Sequence, residues 1–324
     1  MKIYYSGTPT RRGKDISKHL NFKYVKSNIL HSEIKSYIFF KKLFNIIKNV
    51  ISEIKFLKKI NPKYLIYEHG GDFLPTLIIL IFSRMYNIKL IVDCHTCVYI
   101  DNRYNFIREY INKKVLKISK LMIAHNDETL KLTIHKNMFS LESKIPSYVK
   151  RKIKLNNKKN IVFITRFNKD EPIYEILNST NLFSSNYQFF ITGNYNNSNF
   201  LIDKGKYKNL IFTGFLPNKK YIELISSCDV HVVLTDRDFT LLYGGRESVS
   251  LIKPLVISDN LSCRRYFHKG SIFVKNKSEN IKKGIIKSLK LKTKLKNEMK
   301  SLKSEKLDLF HEKIKILKNK IESN

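Results

Sequence analysis

Short apolar runs alternate with longer amphipathic stretches along the whole chain. Each run has the length of a buried strand, and the stretches between runs are long enough for helices. Strands that alternate with helices are typical of a parallel sheet covered on both faces by helices. The pattern therefore predicts an α/β protein with strands at residues 2–5, 64–67, 89–92, 121–124, 160–165, 188–192, 209–213, 230–234, 255–258 and 272–274.

The alternation stops once, in a basic and polar stretch near the middle of the chain. Residues 150–159 read KRKIKLNNKK, which suits a linker better than a buried element. A chain of 324 residues is long enough to form two domains of about 150 residues each. We therefore expect one doubly wound domain at residues 1–150 and a second at residues 151–324, whose lysine-rich tail from Ser278 is helical.

The net charge narrows the expected partners. Lysine and arginine together number 61 against 27 aspartates and glutamates, which gives +34 at pH 7. Such a charge predicts attraction to phosphates in nucleic acid, in anionic lipid or in small molecules. The lysines are spread over the chain and no recognised nucleic-acid motif occurs, so we expect no nucleic-acid partner. A basic nucleic-acid-binding protein stays open as an alternative.

The apolar runs are too short for a membrane span. The longest, LPTLIILIF at residues 74–82, is far below the roughly 18 residues that a spanning helix needs. Residues 1–5 run straight into a predicted strand, so we expect no signal peptide, and the four cysteines show no disulfide framework. We therefore expect a cytoplasmic protein.

One helical stretch, residues 29–59, mixes phenylalanine and isoleucine with many lysines. Basic amphipathic helices can lie in the surface of an anionic membrane, so the stretch predicts peripheral attachment. The alternative is a helix that packs on the sheet and points its lysines outward.

The stretch from Asp229 to Asp259 carries the strongest functional pattern. A strand at residues 230–234 is followed by a polar turn, a short helix and a strand at residues 255–258. This order places Gly244, Gly245 and Glu247 near a helix N-terminus at the carboxyl edge of the sheet. Open α/β sheets bind ligands at that edge, and the N–H groups of a helix N-terminus bind phosphate. We expect the amides around Tyr243 and Gly244 to assist there, unless the unit is merely structural.

Residues 209–274, with the segments TGF, GGRES and KPLVISD, closely resemble the donor half of family-4-like GT-B glycosyltransferases. The two-domain plan extends the resemblance over nearly the whole chain and implies two Rossmann-like domains that face each other across a cleft. In that family the turn matched by Gly214 and Phe215 holds the nucleotide base, and the acid matched by Glu247 binds the ribose hydroxyls. The basic pair matched by Arg166 and Lys169 clamps the diphosphate, so no metal or other cofactor is implied.

The chain departs from the family at one position. Retaining members carry two glutamates, the first of which touches the transferred sugar, and here that position is Phe239. The neighbouring Asp238 could substitute with a shift of one residue. The stereochemical outcome, retention or inversion, is therefore left open.

The resemblance also covers the acceptor half, at residues 62–75 and 91–96. His95 matches a histidine that points at the transferred sugar in many GT-B enzymes. His95 or Asp93 could act as general base in an inverting reaction and deprotonate the acceptor hydroxyl. Glu68 and His69 are competing candidates. The expected acceptor-side loop consists of Glu68, His69, Gly70 and Gly71.

The resemblance implies a hexosyltransferase that moves a sugar from a nucleotide-sugar donor to a saccharide acceptor. A lipid-linked acceptor, surface polysaccharide biosynthesis and a position at the inner face of the membrane would fit the basic helix. A nucleotide-sugar epimerase, which shares the two-domain plan, is an alternative. Cys94 and Cys97 form a CxxC, but the other cysteines lie far away in the sequence, so we expect no metal site.

Overall fold

The computed structural model describes residues 1–7, 10–27, 39–71, 73–95, 98, 106–132, 135–197 and 200–323, without the side chains of residues 39–46, 108 and 197. The chain divides into two compact units. Unit 1 consists of Met1–Lys144 and Leu309–Asn324, and unit 2 consists of Ile145–Asp308.

Unit 1 is built on a parallel six-stranded sheet in the order β2-β1-β3-β4-β5-β6. Its strands are β1 (Lys2–Ser6), β2 (Lys23–Lys26), β3 (Tyr64–His69), β4 (Lys89–Cys94), β5 (Leu121–Ala124) and β6 (Met138–Ser140). Its helices are α1 (Arg11–Leu20), α2 (Phe39–Ile60), α3 (Phe73–Met85), α4 (Phe106–Ile118) and α5 (Asp127–Leu130).

Unit 2 repeats the plan with a parallel six-stranded sheet in the order β12-β11-β10-β7-β8-β9. The strands are β7 (Lys159–Phe163), β8 (Tyr187–Thr192), β9 (Leu210–Gly214), β10 (Val230–Val233), β11 (Leu255–Ser258) and β12 (Ser271–Val274). The helices are α6 (Ile173–Thr180), α7 (Asn218–Ser227), α8 (Tyr243–Leu251), α9 (Leu261–Tyr266), α10 (Ser278–Lys290) and α11 (Lys292–Ser323). Short 3₁₀ turns lie at Tyr195–Asn197 and Lys204–Lys206.

The central strands are buried on both faces, which is why they appear in the sequence as continuous apolar runs. Each sheet has apolar clusters on both of its faces. In unit 1, Tyr5 and Val92 belong to one cluster, and Tyr4 and Ile91 belong to the other. The prediction of two Rossmann-like α/β domains is confirmed, and all ten predicted strands are present.

The unit boundaries differ from the expected division after residue 150. Unit 2 begins at Ile145, and the tail is shared, because α11 belongs to unit 2 up to Asp308 and to unit 1 from Leu309. The physical reason is apolar packing: Phe310 and Leu317 belong to the same core cluster as Tyr4 of β1. Periodicity in the tail predicts its helix but not the sheet that the helix covers.

Two edge strands, β2 and β6, were not predicted. Both are short, and β2 reads KYVK, so neither shows a clear apolar run. The amphipathic stretch predicted at residues 29–59 contains α2, whereas residues 29–38 lie outside the described residues. Within the described parts of the chain, no helix is long and apolar enough to cross a membrane.

Candidate functional site

Polar side chains gather at the carboxyl edge of each sheet. In unit 1 they follow β1, β3, β4 and β5, which are neighbours in the sheet. In unit 2 they follow β7, β9 and β10. Because parallel strands end at a common edge, residues far apart in sequence meet there.

Glu68 and His95 form a pair at the unit 1 edge, and His95 is its partly exposed member. His95 Nε2 lies 3.1 Å from Glu68 Oε1, and the hydroxyl of Thr10 hydrogen-bonds the same oxygen. The Glu68 side chain is buried, whereas that of His95 is 24 % exposed. When Nε2 donates its proton to Glu68, Nδ1 is the ring nitrogen that can accept one. This is the arrangement of a general base oriented by a carboxylate.

Asp93 lies at the same edge but is fully buried and paired. Arg12 donates to both of its carboxylate oxygens, from Nε at 2.9 Å and 3.1 Å and from Nη2 at 2.7 Å. The Tyr4 hydroxyl donates at 2.6 Å, and burial together with the charge of Asp93 raises the pKa of Tyr4 well above its usual range. These partners and its complete burial leave Asp93 without an exposed face, and its role as a base stays a prediction.

The other residues predicted for the acceptor side differ in accessibility. His69 is completely buried and its ring stacks on that of Tyr67. The distance from His69 Nδ1 to the Thr76 hydroxyl oxygen is 3.3 Å. Burial lowers the pKa of His69 to about 3, so the ring is neutral and packed inside the unit. Gly70 and Gly71 follow it at the sheet edge, and Gly71 has a φ of +85° that favours glycine.

His125, which is not among the predicted site residues, also lies at this edge. It follows β5, and its ring centroid lies 4.4 Å from that of His95, with the rings inclined at 60°. Its Nε2 is 3.9 Å from Asp93 Oδ1. His95 is therefore held between Glu68 on one side and His125 on the other. No spacing in the sequence indicates this contact, because the two histidines belong to different strand ends.

Glu247 is the central residue of the unit 2 edge. It lies in the first turns of α8 and is 5 % exposed. The Tyr148 hydroxyl donates to Oε1 at 2.8 Å and the Tyr221 hydroxyl donates to Oε2 at 2.5 Å. Burial and the adjacent Glu247 raise the pKa of Tyr221 well above its usual range, so this phenol remains a donor. Neither tyrosine was predicted as part of the site.

The glycine pair before Glu247 has a packing reason of its own. A Cβ on Gly244 would lie 2.8 Å from Ile164, and one on Gly245 would lie 2.6 Å from the ring of Phe267. Helix α8 begins at Tyr243 without a side-chain cap. The prediction that its first amides contact a phosphate stays a prediction, but the glycines are required for packing in any case.

The loop after β7 carries the predicted basic pair. The buried carboxylate of Glu171 accepts from the backbone N–H of Arg166 at 3.0 Å and of Asn168 at 2.9 Å, which fixes the loop. Burial raises the pKa of Glu171. The side chains of Arg166 and Lys169 are both exposed, as cations that bind a soluble diphosphate would be.

The turn after β9 presents Gly214 and Phe215. Gly214 has a φ of +65° and only the ring of Tyr195 within 4.0 Å of its Cβ position, so the turn is open on that side. Phe215 is 83 % exposed. An exposed aromatic ring beside an open glycine turn suits the flat face of a base. That this turn holds the nucleotide base stays a prediction.

The loop between β10 and α8 contains Asp238 and Phe239. Asp238 is exposed, and Phe239 adopts a left-handed φ of +62° that is costly for a residue with a side chain. Backbone strain of this kind is common at binding sites. Among the described residues no cluster could hold a metal ion, and Cys97 of the CxxC lies outside them.

Solved structures share this architecture over the full chain. A sucrose-phosphate synthase from Thermosynechococcus elongatus matches with a TM-score of 0.74 at 11 % identity, covering 100 % of this chain and 96 % of that one. HepE from Anabaena, in complex with UDP and glucose, matches with a TM-score of 0.71 at 10 % identity, covering 98 % and 99 %. The chain has the GT-B fold.

A glycosyltransferase from Rickettsia africae is also similar, with a TM-score of 0.66 at 12 % identity over 100 % of this chain and 91 % of that one. No protein-family model and no curated protein sequence matches this chain. Identities this low compare folds, so the assignment of an activity depends on the site residues themselves.

Proposed function

We propose that this GT-B chain is a glycosyltransferase that moves a sugar from a nucleotide-sugar donor to an acceptor hydroxyl. The observation that carries the proposal is the full-length fold match combined with two polar sheet edges, one in each unit. HepE, which shares the fold, has been solved with UDP-glucose. This supports a uridine diphosphate donor as the first choice for a test.

In unit 2, the donor would contact three loops. Glu247 would accept from the ribose hydroxyls, and the open turn at Gly214 and Phe215 would receive the base. Arg166 and Lys169 would stabilise the diphosphate, which gains negative charge as the sugar bond breaks. Exposed cations on a loop fixed by Glu171 suit this role, because their backbone is already ordered before the donor binds.

In unit 1, His95 would remove the proton from the acceptor hydroxyl. Its ring is partly exposed, and Glu68 holds Nε2 at 3.1 Å. The negative charge of Glu68 would stabilise the protonated ring during the transfer. His69 and Asp93 are buried and would act only by supporting this pair.

The acceptor we propose is lipid-linked, with the protein attached to the inner face of a membrane during surface polysaccharide synthesis. Helix α2 supports attachment, because Ile47 and Ile51 are 49 % and 48 % exposed on one face. The exposed Lys48 and Lys55 lie on the same helix. Apolar residues beside lysines supply both terms of binding to an anionic interface.

A transfer assay tests the proposal against the epimerase alternative. UDP-, GDP- and dTDP-activated sugars would each be incubated alone, with lipid-linked saccharides, and with sugar phosphates. We expect release of the nucleoside diphosphate to depend on one donor and one acceptor. Isomerisation of a donor without any acceptor would establish an epimerase, and tight binding of nucleic acid without any sugar chemistry would also overturn the proposal.

A further inference from the structure

A groove lies at the amino-terminal edge of the unit 2 sheet, the edge opposite Glu247. Its volume is about 560 Å³. Lys159 begins β7, Tyr187 begins β8 and Asp229 directly precedes β10, so the groove spans the amino ends of three neighbouring strands. The end of α10 and the start of α11 form the other wall. The lining residues are Asn157, Lys158, Lys159, Asn186, Tyr187, Asp229, Ile286, Leu289, Lys290 and Lys292.

The groove carries an excess of positive charge that its own residues do not neutralise. Four lysines and a single aspartate line it. The carboxylate of Asp229 accepts from Lys292 through Oδ1 and from the backbone N–H of Asn160 through Oδ2 at 3.0 Å. Lys158, Lys159 and Lys290 form no ion pair with any carboxylate of the described residues. Three lysines that line the groove are therefore not neutralised by an ion pair within the described part of the chain.

The remaining lining residues suit a ligand with an organic part. Asn157 and Asn186 add amide groups at the rim. The ring of Tyr187 is half-buried, with the Lys159 ammonium 5.0 Å from its centroid. Ile286 and Leu289 supply an apolar wall. Each wall of the groove thus combines cations with apolar surface, which suits a small molecule that has both a phosphate and an organic part.

Neighbouring lysines strengthen the field at the groove. Burial lowers the pKa of Lys296, and the nearby ammonium groups of Lys292 and Lys152 lower it further. Mutual repulsion of this kind is relieved when an anion binds between the cations. The groove is thus distinguished from the rest of a basic surface by its concave shape and by the proximity of its charges.

We propose that this groove binds a phosphorylated small molecule, with the phosphoryl oxygens against Lys158, Lys159 and Lys290. The organic part of the molecule would lie against Tyr187 and Leu289. The site lies at the opposite sheet edge from the donor loops, so it does not depend on the activity proposed above.

A single tryptophan can report on this site, because the chain contains none. Tyr187→Trp places the reporter in the groove. Tyr110→Trp is the matched control, since Tyr110 also carries a lysine over its ring, Lys114 at 5.0 Å. Pyrophosphate is titrated into each folded variant at 150 mM salt. We expect a saturable fluorescence change for Tyr187→Trp and none for Tyr110→Trp.

The cations are then removed in the Tyr187→Trp background. Lys158→Ala with Lys290→Ala should weaken pyrophosphate binding roughly tenfold, because charge-assisted hydrogen bonds are lost. Lys315→Ala with Lys318→Ala, two exposed lysines of α11, should change it by less than about twofold. Equal effects of the two double variants, or no saturable signal at residue 187, would overturn the proposal. So would a signal that appears with phosphatidylglycerol vesicles and not with pyrophosphate, because it would assign the groove to lipid.

Discussion

Removal of one of the two tyrosine hydroxyls that donate to Glu247 should make the protein less stable and its nucleotide binding tighter. Both oxygens of this carboxylate already accept from tyrosines, and the side chain is only 5 % exposed. Because the carboxylate is almost completely covered, we expect ribose hydroxyls that bind the same oxygens to displace a phenol. Tyr148→Phe deletes that competing donor while it keeps the ring.

The magnitude follows from the type of hydrogen bond that is lost. A hydrogen bond to a charged group contributes about 1.5–3 kcal/mol, and the Tyr148 hydroxyl lies 2.8 Å from Oε1. Tyr148→Phe should therefore lower the free energy of unfolding by roughly that amount. A ribose hydroxyl that replaces the missing donor restores the interaction on binding, so affinity for UDP should rise about tenfold or more.

Two measurements on Tyr148→Phe test this prediction. Thermal unfolding gives the loss of stability, and calorimetry with UDP gives the affinity. Tyr174→Phe is a suitable control, because Tyr174 is a half-exposed tyrosine of unit 2 that packs on Phe200. It should change UDP affinity by less than about twofold. A fall in UDP affinity for Tyr148→Phe would refute the competition and would mean that the phenol holds Glu247 in its binding position.

The other predictions concern the base, acid stability and membrane attachment. His95→Ala should lower turnover by about 10²–10⁴ with donor affinity unchanged, whereas His268→Ala, which removes a similar histidine 3.2 Å from Glu305, should leave turnover unchanged. Burial lowers the pKa of His231 to about 3, so stability should be retained above pH 6.5 and fall by up to about 1.4 kcal/mol per pH unit below it. His69, whose pKa burial also lowers to about 3, adds a similar slope. His231→Gln should therefore remove about half of the total slope in thermal unfolding measured against pH, and an unchanged slope would contradict the assignment. Ile47→Ser with Ile51→Ser should weaken binding to phosphatidylglycerol vesicles about thirtyfold without loss of stability, since each half-exposed isoleucine contributes roughly 1 kcal/mol. Equal binding would mean that charge alone attaches the protein.

The strands were predictable because parallel strands buried on both faces leave a local signature. Residues 230–233 and 255–258 are apolar or nearly so and are bounded by polar turns, and each is a strand of the sheet. The edge strand β2 lacks this signature, because only Val25 of its four residues is buried. Periodicity thus detects burial, and it misses elements whose burial is partial.

The glycine pair before Glu247 has a packing role that the sequence motif does not predict. In sequence, Gly244 and Gly245 before Glu247 indicate a phosphate-binding helix N-terminus. In the structure they also allow α8 to approach Ile164 and Phe267, at distances that no side chain permits. One pair of residues satisfies both requirements, so a substitution there would not separate binding from folding. The hydrogen bond between Tyr148 and Glu247, in contrast, can be removed by the loss of a single oxygen atom, as in Tyr148→Phe.

Side-chain partners far apart in sequence could not be predicted. In unit 1 these partners distinguish two carboxylates, Glu68 and Asp93, that lie side by side at the sheet edge. Glu68 and Asp93 end neighbouring strands and are equivalent in the sequence. Arg12, whose helix follows a different strand, pairs with Asp93 and makes it part of the fold. Breaking a buried pair of this kind costs about 3–5 kcal/mol, because it leaves an uncompensated charge. The carboxylate that Arg12 does not hold is Glu68, and Glu68 is the one in contact with His95, the proposed base.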